Sequence, residues 1–273
     1  MNIKDGALSP TISGGWEGSL REGRGNPLQK IPPALPSNNL VLIGTVHGDP
    51  RGYDRAMRLL SHLQPDLVTV EISWFSLRYR ARQGRGWQRL LARALEGLPE
   101  QAAGHPAIRR LRAQVGLPFE VRAARDWCRG REVPWRPLDL GSTARRHLPR
   151  YGRELLTPDN LRVLLEAGAD GRLEDLVAGQ YRRARLAYLR SPWRLFPPSG
   201  AETRRRERFM ARRLRALAGR GGRVAHLGGW EHLVPWQDDG GLWRHLEELG
   251  PLRLLLSEAD VLEAALAVTH VPL

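Results

Sequence analysis

The sequence predicts an α/β domain with a mainly parallel β-sheet flanked by helices. Two short apolar runs, 40–44 and 67–72, are bounded by turn-forming residues and read as buried strands. Between them, 53–63 carries apolar residues at helical spacing. A strand, a helix and a strand within so short a stretch form a βαβ unit, whose strands are expected to be parallel neighbours.

The elements follow in order. Residues 1–38 hold much Gly, Pro, Ser and Asn without a sustained period, so a flexible N-terminal arm is expected, followed by one domain over 39–273. The strand at 40–44 runs into the helix at 53–63, Pro65 marks a turn, and 67–72 is the second strand. Helical spacing recurs at 86–97 and 106–113, and Pro118 opens a helix over 119–130. The segment Val133-Pro-Trp-Arg-Pro-Leu-Asp-Leu140 contains two prolines, so its strand is short, with the usable part at 137–140. Thr157 and Pro158 suit the cap and first turn of a helix. More helix is expected at 172–190, and the region of about 142–200 reads as a helical insertion over the sheet. An arginine-rich helix at 202–218, a glycine turn and a strand at 224–227 come next. Helices at 242–249 and 258–268 close the chain, with a strand at 252–256 between them.

Composition narrows the function classes. The formal charge is +14, but Lys4 and Lys30 are the only lysines, and the arginines recur through nearly every helical segment without forming one basic tail. Nucleic acid is therefore a disfavoured partner, while an anionic or acidic group on a substrate is favoured. No run is long and apolar enough for an integral membrane segment. The N-terminus lacks the apolar core of a signal peptide, so a cytoplasmic protein is expected. Cys128 is the only cysteine, which excludes an intrachain disulfide and a thiolate cluster.

Three strand ends carry chemistry. The first delivers His47 and Asp49, the second Glu71, and the late strand leads into Gly228-Gly-Trp-Glu-His232. Parallel strands present one end of the sheet, so these side chains are expected to share a cleft. Two histidines and carboxylates are ligand types for a catalytic zinc or related divalent ion. Read singly, each histidine also suits an ordinary turn, and Glu71 suits a helix cap.

Gly44-Thr-Val-His47 resembles the Gly-Thr-x-His motif of the TraB/PrgY and TIKI/GumN-like superfamily, which is associated with haem-binding ChaN and the erythromycin esterases. Pro65-Asp-Leu-Val-Thr-Val-Glu71 is similar to that superfamily's second strand. Phe119-Glu120 with Ala123-Ala124, then Leu138-Asp139, resemble its middle helix and strand. Arg206-Glu-Arg-Phe-Met-Ala211 resembles its Arg-Asp/Asn-x-x-Met-Ala helix, and Val224 to His232 its late strand. Glu207 departs from the usual Asp or Asn, and Trp230-Glu231 is bulkier than the usual small residues.

The resemblance implies an α/β domain with a metal-dependent peptidase site made of His47, His232 and Glu71, taking Zn, Mn or Co. Such an ion would activate water for attack on a peptide or other amide of a peptide or small-molecule substrate. Asp49 or Glu231 would orient a histidine, with Glu207 and Asp139 also in supporting positions. Arg206 would stabilise an oxyanion, receive a substrate carboxylate, or tie its helix to Glu71. Met210 reads as core. The alternative is a non-catalytic protein of the same fold that binds haem or another ligand, with Tyr53, Tyr79 and exposed histidines as candidate iron ligands, or one with a regulatory role. A metal-free hydrolysis with His47 as base and Glu71 orienting it is a further option.

Overall fold

Leu40–Thr45 forms β1 and is buried along its whole length, as a continuous apolar run requires when both faces of a strand are covered. The computed structural model of the protein describes residues 39–167, 171–189, 200–235 and 241–262. The arm expected at 1–38 and the end of the last expected helix lie outside those residues. After β1 come α1 (Gly52–Leu63), β2 (Leu67–Val70), α2 (Trp74–Leu95), α3 (Pro106–Val115), α4 (Phe119–Arg129) and β3 (Trp135–Pro137). Four helices follow: α5 (Ser142–His147), α6 (Tyr151–Glu154), α7 (Pro158–Ala167) and α8 (Leu173–Leu189). Then α9 (Ala201–Ala218) leads to β4 (Val224–Gly229), a 3-10 turn at Trp230–Leu233, another at Arg244–Leu249, and β5 (Leu252–Leu255).

The five strands form one parallel sheet in the order β3-β2-β4-β1-β5. The α/β class and the parallel sheet flanked by helices are as the sequence predicts. The expected pairing of the first two strands is corrected. β4 lies between them, so that His226 is in register with Leu42 on one side and with Thr69 on the other. The reason is burial: every residue of β4 is buried, which suits an interior position. The 12-residue helix α1 is long enough to carry the chain over two strand spacings of about 4.8 Å each.

Three boundaries also move. β3 is Trp135–Pro137 and not 137–140. As an edge strand it pairs with β2 alone, where the missing amide of Pro137 is tolerated, and Leu138 and Asp139 still donate amide hydrogen bonds to Val70 and Ile72. α2 starts at Trp74, three turns before the expected helix, with the Ser73 hydroxyl accepting from the Ser76 amide at its N-cap. Finally, β4 continues through Gly228 and Gly229, beyond its expected end at 227.

One sheet face is covered by α9, whose Met210 and Leu214 pack against Leu40, Leu42 and Val224. At about 1.5–3 kcal/mol for each fully buried large apolar side chain, this contact fixes the helix and with it Arg206 and Glu207. Helices α1 and α4 pack on each other, and α4 meets β2. A second cluster joins Trp87 and Leu91 of α2 to Ile108 and Leu111 of α3 and Leu161 of α7. Among the described residues, no helix is long and apolar enough to cross a membrane.

Candidate functional site

The carboxyl ends of β1, β2 and β4 lie along the same edge, because all three strands are parallel and Thr45 is level with Gly229. Side chains alternate between faces, so Thr69 and Glu71 project from β2 on one face together with His226 and the empty position of Gly228 on β4. Glu71 is the hub. Its Oε1 lies 2.9 Å from His232 Nε2 and accepts from Arg206 at 3.0 Å. Its Oε2 accepts from the Gly229 amide at 2.7 Å.

Helix α9 supplies the next shell of charges. Arg206 donates to Asp139 through Nε at 2.9 Å and through Nη2 at 2.8 Å, a two-point grip that fixes the guanidinium plane. Glu207 is buried; it accepts from His232 Nδ1 at 2.8 Å and from the Gly241 amide at 2.9 Å. His232 is thus clamped between two carboxylates. Burial disfavours its charge, but Glu71 and Glu207 outweigh that and raise its pKa to about 10. Burial would likewise raise the Glu71 pKa, yet His232 and Arg206 hold it well below the usual carboxylate range. Burial raises the Asp139 pKa against the opposing effect of Arg206.

His47 has its own carboxylate. Its Nδ1 donates to Glu120 Oε1 at 2.8 Å, and the Thr45 hydroxyl donates to the same oxygen at 2.9 Å. Glu120 is buried, whereas 59% of the His47 side chain is open to solvent. Partial withdrawal from solvent opposes the imidazolium, and Glu120, helped by Glu71 and Glu231, more than offsets it, so the pKa is raised. Solvent screening tempers the size of that effect.

Comparison with family models, curated proteins and solved structures finds no match. The site therefore rests on its own geometry. Glu71, His232, Arg206, Glu207 and Asp139 form one bonded cluster, and the charge of Glu71 acts on both His232 and His47. Asp49, expected to orient a histidine, does other work. It is buried, pairs with Arg55 at 2.7 Å, and accepts from the Tyr181 hydroxyl at 3.0 Å. Glu231 is exposed and its charge acts on His47, while the carboxylate on His232 Nδ1 is Glu207. The Tyr53 hydroxyl bonds Asp126, and Tyr79 stacks between Phe75 and Trp87, so both candidate iron ligands are engaged elsewhere. Cys128 is buried, and burial pushes its thiol up to about 11.

Two residues gain a place that the sequence did not give them. Glu120 entered only as part of a motif. Its signal was the apolar company of Phe119, Val121, Ala123 and Ala124, which puts it on the buried side of α4. His226 is buried beneath Glu71 with Nδ1 on the Thr69 hydroxyl at 2.9 Å and Nε2 without a partner among the described residues. Its signal was a histidine inside an apolar strand.

Histidine and carboxylate are donor types that divalent cations take. Each of His47 and His232 has Nδ1 on a buried carboxylate, as metal-binding histidines do, but Nε2 of His232 is itself paired with Glu71 at 2.9 Å. Among the described residues, no three His, Cys, Asp or Glu side chains stand as a ready-made ion site. His232 Nε2 and Glu71 Oε1 face each other as an ion pair, and an incoming cation would replace the proton between them.

Proposed function

We propose that this protein is a hydrolase acting on a peptide or other amide bond, with His47, His232 and Glu71 holding a divalent cation of the Zn, Mn or Co kind. The same reading keeps the chain within the TraB/PrgY–TIKI/GumN-like group that its motifs resemble. The observation that carries it is the pair of histidines at neighbouring strand ends, each oriented through Nδ1 by a buried carboxylate. When bound, such an ion supplies the Lewis acidity that makes water a usable nucleophile near neutral pH. The chain's own residues do the positioning. Glu207 and Glu120 fix the two rings, while Arg206, anchored on Asp139, steadies Glu71. With both Asp139 oxygens and Glu71 on its guanidinium, Arg206 acts as a support and not as the binder of a substrate carboxylate.

A second reading draws on the His47–Glu120–Thr45 arrangement alone. There, Glu120 holds the ring and the solvent-open face of His47 moves a proton without any ion. A third, ligand binding without turnover, predicts saturable haem uptake with an absorbance change.

Elemental analysis of untagged protein, reloaded after removal of adventitious metal, separates these readings. The parent should carry near-stoichiometric Zn, Mn or Co. His47→Ala and His232→Ala should each lose more than about tenfold in affinity, with circular dichroism confirming the fold. Equally weak metal binding by the parent and both folded variants overturns the metal site. Turnover that survives complete metal removal then points to His47 and Glu120.

A further inference from the structure

Beside this cluster, at the carboxyl end of β3, lies a recess of about 220 Å³ walled by Trp74, Phe75, Leu138, Phe209, Arg145 and Arg213. That volume is below the roughly 300–1,000 Å³ of sites for drug-sized ligands and suits a fragment the size of one amino-acid residue. The walls are aromatic, and Trp74 at the rim is 57% exposed, an unusual position for the largest apolar side chain.

The two arginines are the telling feature. Arg145 stacks over Phe75, with its guanidinium carbon 4.6 Å from the ring centre, and Arg213 over Phe209 at 5.7 Å. Neither pairs with a carboxylate among the described residues, although nearby arginines do: Arg146 with Glu202 and Arg215 with Glu248. Among the described wall residues the one acid, Asp139, has both oxygens bonded to Arg206 and is not free to neutralise them. A guanidinium lying on an aromatic face keeps its N–H edge free for two-point bonding to a planar anion.

We propose that this recess binds a monoanionic carboxylate carried on an aromatic or apolar body, such as the C-terminal residue of a peptide, with Arg145 and Arg213 gripping the carboxylate. The aromatic walls take the body by burial. The two coplanar oxygens of a carboxylate match the planar N–H edge of a stacked guanidinium. Binding stands apart from the proposed hydrolysis, since the recess needs neither metal nor turnover to fill. A ligand held there lies against Asp139, which is linked through Arg206 to Glu71.

The test is isothermal titration of the full-length, metal-stripped protein with N-acetylphenylalanine, N-acetylphenylalaninamide and phenyl phosphate. The acid should bind saturably and at least about tenfold more tightly than the neutral amide or phenyl phosphate. Arg145→Gln and Arg213→Gln should each weaken the acid by about tenfold and leave the amide unchanged. Arg212→Gln, an exposed neighbour that does not line the recess, should match the parent. Equal affinity for acid and amide, tighter binding of phenyl phosphate, no saturable binding, or parental affinity in both recess variants each overturns the proposal. Because metal is absent throughout, these outcomes are independent of whether the hydrolase reading holds.

Discussion

At the scale of single residues, Gly44 shows how a motif position serves packing. A Cβ there would stand 2.5 Å from the Tyr188 hydroxyl and 3.1 Å from Trp230 Cα. Gly44→Ala should therefore cost about 1–3 kcal/mol by overpacking, read as a lower denaturant midpoint. Tyr188→Phe in the same chain should recover part of the loss, because it removes the nearest clashing atom. His226 makes a pH prediction. Burial lowers its pKa from 6.5 to about 4, so between those values the unfolded chain takes up a proton that the folded one refuses. Stability from this residue is whole above pH 6.5 and falls as the pH drops towards 4. Thermal melts should show that decline, and His226→Leu should flatten it. If the variant keeps the same acid slope, His226 is not its source. The chemical identities of His47, Glu71, Arg206 and His232 were legible because strand ends and motif spacing are local signals. Glu120 was given no role, and Glu207 was given a supporting position but not its partner His232, since a helical carboxylate reveals its burial only when the facing strand is known.

At the scale of elements, α9 is both a wall of the core and the carrier of Arg206 and Glu207. Leu214 is fully buried in its contact with the sheet, so Leu214→Ala should cost about 2–5 kcal/mol in equilibrium unfolding. A metal-affinity loss in that variant would show that α9 transmits its placement to the site. Ser73→Ala should cost about 1 kcal/mol by removing the N-cap of α2; an unchanged midpoint would mean that the cap is replaceable. The start of α2 escaped sequence reading because Arg78, Arg80, Arg82, Gly84 and Gly86 dilute the apolar stripe, and the helix buries few of its residues. β3 was displaced by the opposite error: its prolines marked an interruption, but only the edge position of the strand explains where pairing survives.

At the scale of the whole molecule, the formal charge of +14 favours self-repulsion, which salt screens as the Debye length falls from about 10 Å at 0.1 M to about 3 Å at 1 M. The melting temperature should rise over that range of sodium chloride; a fall would mean that the many arginine–carboxylate pairs outweigh the repulsion. The parallel sheet was legible from periodicity, but its strand order was not, because nothing local to β1 or β2 says that a strand some 150 residues later will part them. That order sets a timetable for biosynthesis. At about 5–20 residues per second, β4 leaves the ribosome roughly 10–30 s after β2. Until then β1 and β2 have no partner in each other, and the growing chain holds an open slot one strand wide between two sticky apolar edges. His47 and Glu71 are already made, yet His232 arrives only with the strand that closes the slot. The nascent chain thus passes through a long interval in which it is a natural client for chaperones, and His232 reaches Glu71 in the same closing step that protects the chain from aggregation.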